Sequence, residues 1–238
     1  MTANQKQWFD RMKTEARSIP LDKKRGIMEV EVFFDNELSL QKRDILTWAK
    51  DSTIKTFGWP IAVFLDRSEF KPQPDRDGHV ARVFDKSRGS LDFWAWNAIG
   101  AFYLYKTIFE DERKENAVFF DTRIIRVTET LMYLRNFFRL AKIAGDTTVS
   151  ITVRHHQLQG RRLMSANSSR MLFWEYLCVR EKTSETVLTT NIDKLNNDEE
   201  IFLLARNVTD ELFRLFNFEL SEAVFRDIAT NYLNGKVV

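Results

Sequence analysis

The chain has 238 residues, 44% hydrophobic, 13% aromatic and 29% charged, with 36 Lys and Arg against 34 Asp and Glu and a formal net charge of +2. Twenty Phe and six Trp give a large apolar payload that excludes wholesale disorder, and the near-balanced charge weighs against a dedicated nucleic-acid binder. Only eight glycines are present, no two closer than eleven residues, which excludes dinucleotide fingerprints, Walker loops, kinase glycine-rich loops and the G-x-S-x-G elbow.

In chain order, residues 4–17 place Trp8, Phe9, Met12 and Ala16 at helical spacing, and Pro20 with Lys23, Lys24 and Arg25 marks the exit. Residues 28–33 alternate apolar and acidic, the period of a half-buried strand. Ser39 reads as the N-cap of a second helix reaching about Ile54. Residues 60–65 read as a buried strand, 66–78 as a charged, proline-bearing loop, and 79–84 and 91–97 as strands joined by a turn at 86–90. Residues 102–109 fit either strand or helix. Asp121 is placed to cap a long helix over 122–144 ending at Gly145, with Ile124, Val127, Leu131, Leu134, Phe138 and Ala141 on its apolar face. A strand at 148–154 and a hairpin of 172–179 with 186–190 follow, then helices over 198–216 and 221–233. The expected fold class is α+β, a mostly antiparallel sheet packed with a long central helix and flanking N- and C-terminal helices. One domain over 1–238 is expected, with a two-lobed division near 110–118 as the alternative.

Cysteine arithmetic leaves Cys178 alone, without disulfide or thiolate-zinc options, and its apolar surroundings predict a buried, inert thiol. No cofactor is expected. The N-terminus is charged from Lys6 and lacks the apolar stretch of a signal peptide. The longest uncharged apolar run, 57–65, falls far short of the roughly 20 residues that cross a bilayer, so a cytoplasmic chain without membrane contact is expected.

The main candidate for chemistry is a basic segment. Arg154, His155, His156, Arg161, Arg162 and Arg170, interleaved with hydroxyl and amide donors, have the composition of a phosphate or nucleic-acid site on a turn near Gly160. A solvated hairpin tip is the competing explanation. Adjacent histidines on a strand face opposite ways, so a metal site would need His79 to converge with one of them. Asp66, Glu69 and Lys71 distantly suggest a metal-dependent nuclease of the PD-(D/E)xK kind, but only if Glu31 or Asp35 supplies a further carboxylate. Trp94 and Trp96 would share one strand face, fit for stacking on a base, lining a partner groove or filling the core.

The residues around Val32 to Asp35, Lys42 to Ala49, Phe57 to Ile61, Phe119 to Glu129, Ser150 to His155 and Gly160 to Leu163 resemble a known bacterial segment. It is the region that follows the Schlafen-type AlbA domain, and the likeness covers roughly 27–233. That domain, which would carry any nucleic-acid chemistry, is not within these 238 residues, so no catalytic residue is carried over. The resemblance implies a non-enzymatic accessory, sensor or interaction module in a bacterial regulatory or defence setting, with a protein partner or a second copy of itself. The alternatives are a phosphate-ligand or nucleic-acid binder through the basic segment, and a metal-dependent nuclease.

Overall fold

A computed structural model describes residues 1–55 and 58–236. In chain order the elements are α1 (Ala3–Ser18), β1 (Ile27–Phe34), α2 (Lys42–Asp51), β2 (Gln73–Asp75), β3 (Gly78–Asp85), β4 (Ser90–Asn97), β5 (Phe102–Thr107), α3 (Glu110–Arg113) and β6 (Ala117–Phe119). They continue with α4 (Phe120–Leu140), β7 (Thr148–His156), β8 (Arg162–Met164), β9 (Tyr176–Leu177), β10 (Thr183–Asn191), α5 (Ile192–Leu195), α6 (Asp198–Arg214) and α7 (Glu222–Leu233). Among the described residues, seven strands form an antiparallel sheet in the order β10-β7-β1-β5-β4-β3-β2, and β6-β8-β9 make a small second sheet. The expected α+β architecture is the one observed. None of the described helices is long and apolar enough to cross a membrane.

The sheet is covered on both faces, which explains the aromatic strands. On one face α1 packs Trp8, Phe9, Met12 and Ala16 against Val80, Phe93, Ala95 and Tyr103. Each large apolar side chain buried there contributes about 1.5–3 kcal/mol. A capping box starts α1, with Thr2 and Gln5 each satisfying the other's backbone. On the other face lies the larger core, built from Met28, Val30, Val32 and Phe34 of β1, the strand tryptophans, and α4, α6 and α7. Residues 120–134 of α4 are all buried, so this stretch has no solvent face, and its polar side chains, among them Arg123, Arg126 and Glu129, are buried with the apolar ones.

Several expectations need correction. Glu29 and Glu31 were expected to face solvent from a half-buried strand; β1 is instead an inner strand, and both carboxylates are buried and paired. Helix α2 starts at Lys42, after Gln41, not at Ser39. The N–H groups of Leu38 and Leu40 are tied to the carbonyls of Ile99 and Ala98, which holds Ser39 out of the helix. Residues 60–65 form no strand, because Ala62 turns into the left-handed region (φ 54°) and the segment is held by side chains instead. Ile61 N donates to Glu129 and Val63 O accepts from the Trp94 indole. Phe57, at the start of the apolar run, lies outside the described residues. Helix α4 ends at Leu140 rather than near 144: Lys142 is left-handed (φ 53°), and Ile143 N and Lys142 N return to Phe138 O and Arg139 O. That is a Schellman stop built without glycine. Finally, β9 and β10 are not a hairpin, since β9 pairs with β8 and β10 pairs with β7.

Candidate functional site

A cleft of about 970 Å³ opens between the β4–β5 end of the sheet and the first turns of α4. Three local devices build its walls. The turn after β3 is closed by Asp85, whose carboxylate accepts from Ser87 N and Oγ, and it carries Arg88 to the rim. The short α3 also brings Arg113 and Lys114 to the rim, with the Arg113 guanidinium 5.0 Å from the centre of the Phe109 ring. The third wall, 164–168, is pinned to the start of α4 by Asp121. That carboxylate accepts from Thr122 N, Ser165 Oγ, Ala166 N and Asn167 N at 2.6–3.1 Å. The expected capping residue therefore sits in the first helical turn and holds a loop.

The floor carries fixed charge. Asp92 and Lys106 face each other across β4 and β5 and pair at 2.8 Å. One turn apart on α4, Arg123 and Arg126 each take a buried acid. Arg123 Nη2 donates to Glu110 at 2.8 Å, and Arg126 Nη1 donates to Glu129 at 2.6 Å. Both acids are fixed in turn by backbone donors, Phe119 N on Glu110 and Ile61 N on Glu129. Burial pushes the Arg123 guanidinium down and the Glu129 carboxyl up, each opposed by its partner's charge. Among the described residues, six cationic side chains line the cleft against three acids, Asp92, Glu112 and Asp121. Met28, Phe119 and Ile125 supply apolar wall between them. Such an arrangement suits a small anionic ligand with an apolar part.

Two polar atoms beside the floor have no hydrogen-bond partner among the described residues. They are the Thr122 hydroxyl and Asp92 Oδ1, and both are closed from water. Buried polar groups are normally satisfied, so each of these two lacks a partner that it would ordinarily have.

The basic segment expected to form the site is scattered. Arg154 lies on the α1 side of the sheet, paired with Glu31 and Glu185. His156 is beside it, with Nε2 2.6 Å from Glu29 and Nδ1 3.3 Å from the Thr183 hydroxyl. Burial alone would push Glu29 up, but hydrogen bonds from His156 and Tyr103 and the charge of Arg17 hold it at about 2. His155 points into the opposite core, where burial first, and then the Arg123 charge, holds its pKa well below the usual value. Arg161 is 2% exposed and donates to Asp111, Ala117 O, Lys24 O and Gln157 O. Arg162 pairs with Glu175 on the surface, and Arg170 pairs with Asp227. These six side chains share no single surface.

Trp94 and Trp96 are core residues, which removes the expected stacking surface. The Trp96 indole donates to Tyr133 Oη at 2.9 Å and its ring stacks on Phe137 at 3.7 Å. His79 is on β3, four strands from the His155–His156 pair on β7, or about 19 Å at ordinary strand spacing, so no histidine site converges. Asp66, Glu69 and Lys71 are exposed in an irregular loop; Glu31 is committed to Arg154 and Lys13. Among the described residues no group of three or more His, Cys, Asp or Glu is placed to hold a metal ion. Cys178 is buried, its thiol donating to Glu181 O at 3.2 Å. Sequence reasoning missed Asp92, Lys106, Thr122, Arg123 and Arg126. A usable signal existed: arginines three apart inside an apolar helix, and a lysine inside an aromatic strand, are charges that burial tolerates only when paired. No protein-family model, curated protein or solved structure matches the chain.

Proposed function

We propose that this chain is a non-enzymatic accessory or sensor module whose cleft holds a small phosphate-bearing anion. The supporting observation is the excess of cationic side chains around an apolar-walled cleft, with the deep ones held in place by buried acids before any ligand arrives. Preorganised charge needs no rearrangement on binding, so most of the Coulomb gain appears as affinity. The rim residues Arg88, Arg113 and Lys114 are exposed and supply the adjustable part. Calorimetric titration with inorganic pyrophosphate tests the reading. Saturable binding that weakens with salt is expected, at least tenfold weaker when Arg88, Arg113 and Lys114 are all changed to Ala. Equal binding by that triple variant, with its melting temperature unchanged, would contradict the cleft as the site.

A second reading, action through protein contacts, is favoured by one surface feature. Phe173 is 97% and Trp174 78% exposed, with Met171 beside them, in the irregular segment between β8 and β9. Large apolar side chains grouped in solvent mark contact surfaces. Light scattering is the measurement: self-association that disappears in Phe173→Ser/Trp174→Ser supports this reading, and unchanged association in that variant removes it.

A further inference from the structure

The cleft has two chemically different ends, and that difference identifies the ligand class beyond a simple anion; the inference rests on the cleft reading above. Its rim is cationic and solvent-facing, through Arg88, Arg113 and Lys114. At the deep end the cations Lys106, Arg123 and Arg126 are already paired with acids. Asp92 presents one oxygen to Lys106 and leaves Oδ1 without a partner among the described residues, and Thr122, from α4 in the lining of the same cleft, has its hydroxyl unmatched as well. Phosphate cannot settle against the Asp92 carboxylate, because like charges repel and neither group carries a donor. A neutral group bearing N–H donors can, with a small rotation of Thr122 and Asp92 opening both atoms to it. The apolar side chains of Met28 and Ile125 favour a weakly hydrated body for that group.

We infer that the ligand is a nucleoside phosphate, bound with its base inward against Asp92 and Thr122 and its phosphate at the cationic rim. A base carries ring or exocyclic N–H donors on an apolar plane, and its phosphate lies at the other end of the sugar. The cleft volume, about 970 Å³, accommodates a mononucleotide and lies within the range of small-molecule sites. Because the base is read by hydrogen bonds that it donates to buried groups, an analogue without a base leaves those groups unmatched and binds more weakly.

The test is calorimetric titration of the full chain with GMP, AMP, ribose 5-phosphate and inorganic pyrophosphate. At least one nucleotide is expected to bind about tenfold or more tightly than ribose 5-phosphate. Thr122→Val keeps the shape of the side chain and removes its hydroxyl. It is expected to narrow that gap several-fold while leaving ribose 5-phosphate binding and thermal stability unchanged. Arg113→Ala/Lys114→Ala should weaken the nucleotide and ribose 5-phosphate alike. If ribose 5-phosphate matches both nucleotides, the base-inward inference is wrong while the anion site stands. The inference is also wrong if Thr122→Val folds normally and preserves the gap. If neither the nucleotides nor pyrophosphate binds, the cleft reading itself fails.

Discussion

Replacing Arg161 with Ala removes a guanidinium that makes five hydrogen bonds among the described residues. Two go to the Asp111 carboxylate at 2.6 and 3.0 Å, and three go to the carbonyls of Gln157, Ala117 and Lys24. The group therefore staples the chain before β1, the α3 turn, β6 and the β7–β8 connection at one point. The substitution leaves the Asp111 carboxylate, 8% exposed, with the Gly26 N–H but without its guanidinium, and three carbonyls without their donor, a loss of about 3–5 kcal/mol. For a chain of this size that corresponds to a fall of roughly 10 °C in melting temperature. Its neighbour provides the internal control. Arg162 is 64% exposed and pairs with an equally accessible Glu175, so Arg162→Ala should cost less than about 1 kcal/mol. Urea unfolding followed by circular dichroism reads both variants. A cost below about 1 kcal/mol for Arg161→Ala, or equal costs for the two, would refute the assignment of Arg161 as a structural staple.

The tryptophan assignment predicts that Trp96→Ala costs about 3–5 kcal/mol, since it empties a stacked core position and leaves Tyr133 without its indole donor; a loss under 1 kcal/mol in urea unfolding would place Trp96 outside the core. Acid sensitivity has two components with the same sign. His155 stays neutral in the fold but binds a proton when unfolded, so stability is full above about pH 6.5 and falls below it; His155→Leu should flatten the pH 7 to 5 portion of the stability profile. Glu29, held at about 2 against an ordinary 4.5, contributes on the order of 3 kcal/mol that is complete above pH 4.5 and lost as pH falls toward 2; Glu29→Gln should remove that portion. Phe173→Ser/Trp174→Ser should change stability by no more than about 0.5 kcal/mol, because neither ring is buried, and a larger loss would show that the segment packs.

The elements most legible in the sequence are those whose pattern is local. Helix α1 follows from Trp8, Phe9, Met12 and Ala16, and α7 from Ser221, whose side chain caps it by accepting from Val224 N. Legibility failed where long-range partners decide. Nothing in residues 37–41 signals that the Ala98 and Ile99 carbonyls will hold Ser39 extended. The end of α4 is set by a left-handed Lys142, a conformation usually read from glycine, and Gly145 drew attention away from it. Acidic residues on β1 read as a wet strand face because Arg17, Arg154 and His156, their partners, come from α1 and β7. The same reason hid the cleft. The clustering of Arg154 to Arg170 in sequence becomes dispersion in space, whereas Arg88, Lys106, Arg113 and Arg126, far apart or embedded in apolar runs, are brought together by the sheet and α4.

The most direct test of the account is the location of ligand-induced NMR shifts in uniformly ¹⁵N-labelled protein titrated with inorganic pyrophosphate. The cleft reading predicts progressive shifts at the amides of Arg113 and Lys114, at residues 165–168 and at the Trp59 indole, with Arg154, His156 and Arg162 unmoved. Shifts centred on Arg154, His156 and Arg162, or none at saturating pyrophosphate, would contradict it.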